Sequence, residues 1–402
     1  MRKTMKGREV IILLATVLIL LNNPPLFSAE NQVPAQQTQA TATVGKTDLP
    51  GKLGEIVAKT PTGTEKGQIN PQAEKGFAGI PGAPQINYVV AFFWAVWVGW
   101  IFATVGAFGG IMAGVGHMTL FALGAYAGSF KGTNPELNKL LTDTIRASNQ
   151  YLVGLAALIS TWNFFKIKRL VVPLGATLGL GSLAGAMLIT YFTADKLKFD
   201  QYQGYFGILV LVIGAIMLYS TSEASRSKKK ATDETSKKLQ KLMKEKGETE
   251  GIKMLSSSIS EISFSFYGAE FSFNPLLAML GGVIIAAISA FLGVGGGFLY
   301  VPFLTDIIGL PMYIVAGTSA LAVLLSMISS LFTHVVIKGT FISWGLVGVE
   351  MLGVFVGSMI GPKTQKYIPE KWLKILFIFL AIYVGIAYFS KGFFGQSWLP
   401  MG

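Results

Sequence analysis

The stretch best suited to bind a ligand is a cluster of glycines inside an apolar run, Phe291-Leu-Gly-Val-Gly-Gly-Gly-Phe-Leu-Tyr-Val-Pro302. Each glycine costs a helix about 1 kcal/mol relative to alanine, so the cluster predicts a helix break with exposed backbone N–H groups. Such groups bind anions, and backbone that leaves its helix inside a membrane must line a cavity or be buried in protein. Gly293, Gly295, Gly296 and Gly297 are therefore candidate anion-binding residues; the alternative is that they only permit close helix packing.

A weaker copy of this pattern occurs earlier in the chain, at Ala113-Gly-Val-Gly-His-Met118. Two glycine-interrupted segments at equivalent positions of two halves are a good indication of a substrate site near the middle of the bilayer. Gly114, Gly116 and His117 therefore join the candidate site. His117 stands where the later copy has a glycine, and its imidazole would contact the anion or form an interhelical hydrogen bond.

Polar residues open the apolar block that follows each glycine segment. They are Ser148, Asn149 and Gln150 in the first case and Thr318 and Ser319 in the second. Their hydroxyl and amide groups would donate hydrogen bonds to the oxygens of an anion, although helix N-caps use the same residue types.

Three ionisable residues lie in the later apolar blocks or at their ends. His334 and Lys338, one turn apart, would form a cytoplasmic vestibule that attracts anions, unless Lys338 only marks the cytoplasmic side. Glu350 lies in the middle of an apolar block, where a charge costs roughly 2.5 to 3.5 kcal/mol. It is a candidate for proton coupling; the alternative is a neutral carboxyl group hydrogen-bonded between helices.

No pattern typical of an enzyme occurs in the sequence. There is no nucleophile with a histidine and an acid at motif spacing, no phosphate-binding loop and no dinucleotide fingerprint. The absence of cysteine excludes disulfides, thiolate metal sites and cysteine nucleophiles, and two histidines argue against a histidine-rich metal or haem centre. We expect no enzymatic activity, no cofactor and no metal.

The composition is that of a helical integral membrane protein. Of 402 residues, 51% are hydrophobic and 13% are charged, compared with about 25% charged residues in soluble domains. The net charge of +12 indicates basic cytoplasmic loops rather than nucleic-acid binding. Residues 1–29 have the basic and then apolar layout of a signal peptide or an uncleaved signal anchor. Residues 30–86 have few aromatic side chains and predict a disordered extracytoplasmic tether.

Four sequence landmarks recur in the same order in two halves of the chain, which predicts an internal repeat. The expected fold is all-α, with two parallel four-helix repeats whose first helices are broken by glycine, plus one extra N-terminal span. The first repeat and the extra helix occupy residues 87–221, and the second repeat occupies residues 275–391. Four crossings per half predict an axis along the membrane normal and nine spans in total.

The connecting segments complete this expected topology. Residues 222–274 form a charged cytoplasmic loop, in which the alternation over 262–273 predicts a small hairpin or else a solvated linker. Residues 392–402 form a cytoplasmic tail. Alternation of the spans places the loops at 193–204 and 305–311 outside and Lys338 inside.

The chain resembles the TauE/SafE family of membrane permeases, often called sulfite exporters. The resemblance rests on Gly293-Val-Gly-Gly-Gly297 followed by Val301-Pro302, Gly309-Leu-Pro311, Ala316-Gly-Thr-Ser-Ala320, and His334 followed by Lys338-Gly339. It covers about residues 96–391 and is strongest in the second half. The first half departs from the pattern, because His117-Met118 replaces the last two glycines and Phe164 stands where His334 would be.

This resemblance implies transport of sulfite, sulfonates or related small organosulfur anions, usually outward. We therefore expect a multi-pass permease of the bacterial inner membrane that exports its anion by alternating access around a midplane site. The expected partners are a small sulfur-containing anion and the lipid bilayer, without nucleic acid; a homo-oligomer is compatible with the sequence. The alternatives are an anion channel and a membrane sensor or anchor that acts through the cytoplasmic loop.

Overall fold

A computed structural model describes residues 43–45, 47–105, 108–221, 252–365 and 370–400. The predicted signal segment and most of the charged loop lie outside these residues. The helices are, in chain order, α1 (Gly51–Ala58), α2 (Tyr88–Val105), α3 (Phe108–Val115), α4 (Leu123–Ser129), α5 (Pro135–Lys166), α6 (Val172–Thr193), α7 (Phe199–Thr221), α8 (Pro275–Leu292), α9 (Gly297–Pro302), α10 (Met312–Phe332), α11 (Trp344–Gln365) and α12 (Glu370–Phe394). A short 3₁₀ turn spans Phe77–Gly79, and π-helical turns at Gly116–Leu120, Phe303–Ile307 and Thr333–Ile337 extend α3, α9 and α10.

The described residues are mostly helical, which agrees with the predicted all-α membrane protein apart from one small sheet. Within the described residues, α6, α7, α8, α10, α11 and α12 are long and apolar enough to cross a membrane, and α3 with α4 would be a seventh span if that bent pair counted as one. The 32-residue α5 is also long enough, at about 1.5 Å per residue, but its charged residues lower its hydropathy. The nine predicted spans are not all present as single crossings. Helices α2 and α3 form one hairpin and α8 and α9 form another, and the second helix of each hairpin returns to the face from which the first one enters.

The first hairpin consists of α2 and α3, which run antiparallel. A Cβ atom added to Gly109 would lie 2.3 Å from the ring of Phe102, and one added to Gly116 would lie 2.2 Å from Nε1 of Trp94. The Trp94 indole N–H donates to the carbonyl oxygen of Met112 at 3.2 Å. The chain then bends by 59° into α4. As a result, α3 returns to the face of the bundle from which α2 enters.

The second hairpin consists of α8 and α9, and its tip is the glycine cluster. Gly293 and Gly295 have φ angles of +71° and +76°, which glycine adopts far more readily than other residues. The returning α9 packs along α8, since a Cβ atom on Gly296 would lie 2.6 Å from Ser289 Oγ. The helix therefore breaks at the glycine cluster, as the sequence predicts.

The two hairpin tips meet inside the bundle. A Cβ atom added to Gly110 would lie 1.8 Å from the carbonyl oxygen of Val294, so the two backbones are in direct contact. The glycine pattern predicts a break in the first half at Gly114–Met118, but the tip of that hairpin lies earlier, near Gly110. The segment Gly114–Met118 is helical, because its glycines serve packing: Gly114 lies against the ring of Phe206 and Gly116 against that of Trp94.

Hydrogen bonds between loops define the two ends of the bundle. At the end that we call the N-terminal face, the Lys52 ammonium donates to Asp195 Oδ1 at 2.6 Å and to the Lys338 carbonyl oxygen at 3.3 Å. The opposite end, the sheet face, holds the α5–α6 loop, where the backbone N–H of Val171 donates to Thr318 Oγ1 at 3.2 Å. The start of α10 is therefore at the sheet face and its end is at the N-terminal face.

The two halves of the chain run in opposite directions. Glycine contacts show that α5 and α10 are antiparallel and that α7 and α12 are antiparallel (Gly317 with Phe164, Gly154 with Met327, Gly392 with Asp200, Gly214 with Ala381). Reciprocal pairs complete the arrangement, α6 with α8 and α2 with α11. Glycines on these helices let the backbones approach closely, as is common for helices in membranes.

The predicted parallel arrangement is therefore wrong. The prediction counted residues 275–304 as one crossing, whereas the α8–α9 hairpin enters and leaves by the same face. Every later element is reversed as a result. Lys338 and the C-terminal residues lie on the same face as the 193–204 loop, and residues 305–311 lie on the sheet face.

The described part of the predicted disordered tether is folded. Leu53, Val57, Ile69 and Ile80 are at most 1% exposed. Asn134, the N-cap residue of α5, donates through Nδ2 to the Ile56 carbonyl oxygen at 3.1 Å and to Thr60 Oγ1 at 2.8 Å. Few apolar residues suffice here because they cover the ends of α4 and α5 rather than building a core of their own.

A three-stranded antiparallel sheet precedes α8. Its strands β1 (Lys253–Ser257), β2 (Ile262–Phe266) and β3 (Ala269–Phe273) pair in the order β1-β2-β3. The hairpin predicted over 262–273 is confirmed as β2 and β3, and β1 adds a third strand. The sheet packs its buried phenylalanines, Phe264, Phe266 and Phe273, into the same apolar cluster as Leu304 and Leu310.

Candidate functional site

A buried polar triad joins three helices close to the hairpin tips. His117, in the π-helical turn after α3, is within hydrogen-bonding distance of Asn149 Oδ1 through Nδ1, at 2.5 Å, and of Glu350 Oε2 through Nε2, at 3.0 Å. Asn149 belongs to α5 and Glu350 to α11. All three side chains are at most 1% exposed, so the triad is shielded from solvent.

The geometry of the triad determines where its protons lie. The amide oxygen of Asn149 accepts only, so Nδ1 of His117 carries a proton and donates it. One further proton then lies between Nε2 of His117 and Oε2 of Glu350, whether it is assigned to the imidazole or to the carboxyl group. The interhelical hydrogen bond that the sequence analysis considered for both residues is therefore present, and the pair can bind or release a single proton.

A buried ion pair lies one turn before Asn149 on α5. Arg146 Nη1 donates to Asp143 Oδ1 at 2.7 Å, and the two side chains are 0% and 1% exposed. Arg146 Nη2 also donates to Thr193 Oγ1 at 3.0 Å and lies 3.5 Å from the carbonyl oxygen of Ala290. Buried charges require such compensation, so Asp143 keeps the guanidinium in place inside the bundle.

Several buried polar atoms around this ion pair have no hydrogen-bond partner in the part of the chain that the structure describes. On α5 they are Arg146 Nε, Asn149 Nδ2 and Gln150 Oε1; on α10 they are Ser326 Oγ and His334 Nε2. An unpaired buried polar group costs about 1 to 3 kcal/mol, so a cluster of them indicates space meant for a polar ligand or water.

Contacts with α6 show that the two rows of unpaired atoms face a common region. Thr193 accepts from Arg146 of α5, and Thr190, one turn earlier, bonds Ser330 of α10 at 2.7 Å. The unpaired atoms of α5 and α10 therefore border one site.

The hairpin tip of the second half borders the same site. Gln150 Nε2 donates to the Ala290 carbonyl oxygen at 3.2 Å, and the Tyr202 hydroxyl donates to the Leu292 carbonyl oxygen at 3.0 Å. These two side chains cap the last turn of α8. Gly293 packs against the backbone of Arg146. A Cβ atom added to Gly293 would lie 2.8 Å from the Arg146 carbonyl oxygen. The backbone N–H groups of Gly295, Gly296, Gly297 and Phe298 have no acceptor among the described residues.

The structure brings most of the sequence-predicted site residues together. Gly114 packs against Asn149, Gly116 precedes His117, and Gln150 and Gly293 meet at the end of α8. Ser148, Asn149 and Gln150 lie in the middle of α5 rather than at its start, so they are not N-caps. Helix α5 begins twelve residues earlier than its apolar block because Asn134 and Pro135 provide its N-cap and first turn.

Three predicted residues lie elsewhere. Thr318 and Ser319 are in the second turn of α10, and the hydroxyl of Thr318 is engaged with Val171 and Ile314 at the sheet face. Lys338 lies over the ring of Tyr191 at the N-terminal face. His334 is fully buried, with Nδ1 3.3 Å from Thr340 Oγ1, so His334 and Lys338 do not form the predicted vestibule.

Asp143, Arg146 and Tyr202 were not identified from the sequence. Asp143 and Arg146 precede the apolar block that starts at residue 147, so they lie outside the segment that hydropathy alone marks as a span. The signal that reveals them is the helical spacing of Leu137, Leu141, Thr144 and Ile145, which extends the helix backwards and places Arg146 on a buried face.

The site does not open into either of two surface grooves that lie near the sheet. These grooves, of about 370 and 350 Å³, border the sheet and the start of α8, and neither is lined by a residue of the triad or of the ion pair.

Comparison with known proteins identifies the family. The model of the family described as sulfite exporter TauE/SafE matches residues 90–388. The chain is 35% identical over 127 residues to a probable membrane transporter protein of Methanocaldococcus jannaschii, a match that spans 29% of this chain and 47% of that protein, or about half its length. No solved structure matches the chain. Since the family model covers most of the sequence, the chain belongs to the sulfite exporter TauE/SafE family, and its six or seven apolar helices are those of a multi-pass membrane protein.

Proposed function

We propose that the protein exports a small sulfur oxyanion, such as sulfite or a sulfonate, across the bacterial inner membrane by alternating access. The observation that carries this proposal is the set of unpaired, fully buried polar atoms around Arg146 at the hairpin tips. A transporter of anions needs a binding place that is polar, dry when closed and able to neutralise negative charge.

The chemistry of this set suits an oxyanion. Arg146 Nε and Asn149 Nδ2 are obligatory donors, and Ser326 Oγ and His334 Nε2 can donate as well. A guanidinium matches the oxygens of an oxyanion better than any other side chain. The free N–H groups of Gly295 to Phe298 supply further donors, and helix N-termini favour negative charge.

Within this set of described atoms, Gln150 Oε1 can only accept a hydrogen bond, so it distinguishes between anions of similar shape. It would be satisfied by a protonated oxygen of the substrate or by a bound water, and it would repel a bare oxygen. The site therefore suits an anion with a protonated oxygen, an amino group or a hydration water on one side, and a fully ionised, unhydrated sulfate suits it less.

Export follows from the membrane potential. A negative interior drives an anion outward by about 2.3 kcal/mol per charge per 100 mV, so outward transport of a monovalent anion requires no coupling ion. The His117–Glu350 pair holds one exchangeable proton next to the site. We assign Glu350 as the residue that couples proton movement to transport where the anion must move against its gradient.

We further propose that the antiparallel halves form an inverted repeat. Each repeat would comprise a hairpin and three long helices, namely α2–α3 with α5, α6 and α7 in the first and α8–α9 with α10, α11 and α12 in the second, related by an axis in the membrane plane; the short α4 has no counterpart in the second repeat. Inverted repeats interconvert by exchanging conformations, which opens a central site to one face and then to the other.

The direct test is anion flux in proteoliposomes containing the purified full-length protein. Sulfite, which is partly protonated near neutral pH, and a small aminosulfonate should each be transported faster than sulfate and thiosulfate, and counterflow with unlabelled anion should accelerate uptake. Arg146→Lys should lose most of the flux, whereas Lys139→Met, the removal of a cation from the same helix outside the buried cluster, should keep it. No flux of any of these anions would refute the substrate assignment, and flux without counterflow would identify a channel.

A further inference from the structure

Residues 47–86 form a compact cap over the N-terminal face. The cap is fixed to the first half of the chain, where Asn134 donates to Ile56 and Thr60 and the Thr133 hydroxyl donates to the Gly67 carbonyl oxygen at 2.5 Å. These contacts are with the α4–α5 region, so the cap is expected to move with the first half.

Lys52, on α1 of the cap, links the two halves. Its ammonium bonds Asp195 in the α6–α7 loop of the first half and the Lys338 carbonyl oxygen in the α10–α11 loop of the second half, at 2.6 and 3.3 Å. The side chains of Lys52 and Asp195 are 36% and 38% exposed, so water can compete for this contact. Both features are those of a contact that forms and breaks during a cycle rather than of a core contact.

A chain of hydrogen bonds continues from Lys52 to the buried arginine. Asp195 has a φ angle of +64°, in the left-handed region that Asp tolerates better than most residues. In this conformation its backbone N–H donates to Asp143 Oδ2 at 2.6 Å, and Asp143 Oδ1 accepts from Arg146 at 2.7 Å. The loop that Lys52 holds is therefore the loop that positions the counter-ion of Arg146.

We propose that the cap is the gate of the N-terminal face and that Lys52 is its latch. With the latch closed, the α6–α7 and α10–α11 loops are held together and Asp143 keeps Arg146 turned toward it. Movement of one half against the other separates Lys52 from the second-half loop, opens the N-terminal face and loosens the Asp195–Asp143 contact. This inference rests on the proposed function only for the identity of the ligand at Arg146, since the gate is a property of the cap and the two loops.

Cysteine accessibility tests the gate without any substrate, and the native chain has no cysteine that would interfere. The reporter is Thr144→Cys, because Thr144 is 1% exposed and its hydroxyl donates to the Phe341 carbonyl oxygen where the two halves meet. Labelling with a charged maleimide should be slow in the reporter protein. It should become at least tenfold faster when Lys52→Met or Asp195→Asn is added. The matched control is Lys59→Met, an exposed cation of the same cap, which should leave the rate within twofold.

Two outcomes of this labelling experiment would overturn the gate. Unchanged labelling in Lys52→Met would show that the contact does not hold the face closed. Equal acceleration in Lys59→Met would show that loss of charge loosens the cap in general. Because the readout is labelling, absence of anion flux in every variant would refute the proposed function and leave this result standing.

A reversible clamp provides the second test. Cysteines introduced at Lys52 and Lys338 would be bridged by a short bis-methanethiosulfonate linker in the reconstituted protein. Relative to the untreated double variant, bridging should reduce flux at least tenfold and a reductant should restore it, whereas the reagent should not change the flux of either single-cysteine variant from that variant's own untreated value. Undiminished flux in the bridged protein would overturn the requirement for cap movement.

Discussion

Removal of the charge of Asp143 should make the stability of the protein depend on its anion. The Asp143–Arg146 pair is 0% and 1% exposed with an N–O distance of 2.7 Å, and removal of one member of such a pair costs about 3 to 5 kcal/mol. Asp143→Asn keeps an acceptor for Arg146 but leaves the guanidinium without a counter-ion. A bound anion can take the place of that counter-ion.

The size of the expected effect follows from competition for Arg146. In the native protein Asp143 competes with the substrate for the guanidinium, so Asp143→Asn should bind sulfite at least tenfold more tightly, or about 1.4 kcal/mol. Sulfite at 100 times its Kd should then add about 2.7 kcal/mol of stability. In a thermal unfolding assay in detergent, Asp143→Asn should unfold at a lower temperature than the native protein without sulfite and recover a large part of the difference with it.

Arg146→Gln is the matched variant. It leaves Asp143 buried without a cation, so it should be destabilised to a similar extent, yet sulfite should not raise its unfolding temperature. The double variant Asp143→Asn/Arg146→Gln removes both charges and should be more stable than Arg146→Gln alone, again without a response to sulfite. A sulfite response in Arg146→Gln equal to that of the native protein would refute the assignment of Arg146 as the anion-binding residue.

Three further predictions concern the hairpin tips, the proton and the orientation of the halves. Gly110→Ala should destabilise the protein by about 1 to 3 kcal/mol or more, because the new Cβ atom would lie 1.8 Å from the Val294 carbonyl oxygen of the opposite tip. Gly348→Ala is the control: Gly348 has open space around it, so this substitution should be neutral or slightly stabilising. Thermal unfolding compares the two variants. Glu350→Gln should retain anion flux but lose its dependence on an imposed pH gradient, and undiminished pH coupling would exclude Glu350 as the proton carrier. Single cysteines at Lys338 and Lys168 should react with impermeant reagents from opposite sides of the membrane, and labelling from one side would contradict the antiparallel halves.

Local features of the fold were accessible from the sequence because they depend on short-range chemistry. The glycine cluster breaks its helix since Gly293 and Gly295 adopt positive φ, and His117 and Glu350 were identified because polar residues in apolar blocks are rare. From the sequence, each of His117 and Glu350 could either form an interhelical hydrogen bond or take part in transport. Only the structure shows that they bond each other, since nothing in the spacing of residues 117 and 350 pairs two helices so far apart in the chain.

The orientation of the second half could not be predicted because it depends on the return of a single short helix. Residues 275–304 are long and apolar enough for one crossing, and hydropathy does not distinguish a crossing from a hairpin that turns at Gly293–Gly296. Loop charge was a poor guide as well, since Lys338 lies beside Tyr191 and Lys52 on the N-terminal face. When the turn at Gly293–Gly296 is taken for a continuing helix, the predicted directions of α9, α10, α11 and α12 are all reversed.

The antiparallel halves and the single charged cluster together determine which gate controls access. Helices α5 and α10 cross where Gly154 packs against Met327, which marks the centre of the bundle. Arg146 is eight residues before Gly154, about 12 Å toward the N-terminal face at 1.5 Å per residue, whereas the residue eight positions before Met327 on α10, toward the sheet face, is the uncharged Ser319. We therefore place the proposed anion site on the first half, displaced from this contact toward the cap. Lys52 is connected to Arg146 through Asp195 and Asp143, so we expect a small displacement at Lys52 to reach the site. The route to the sheet face runs along the remaining 20 residues of α5, about 30 Å, and requires the hairpin tips to part.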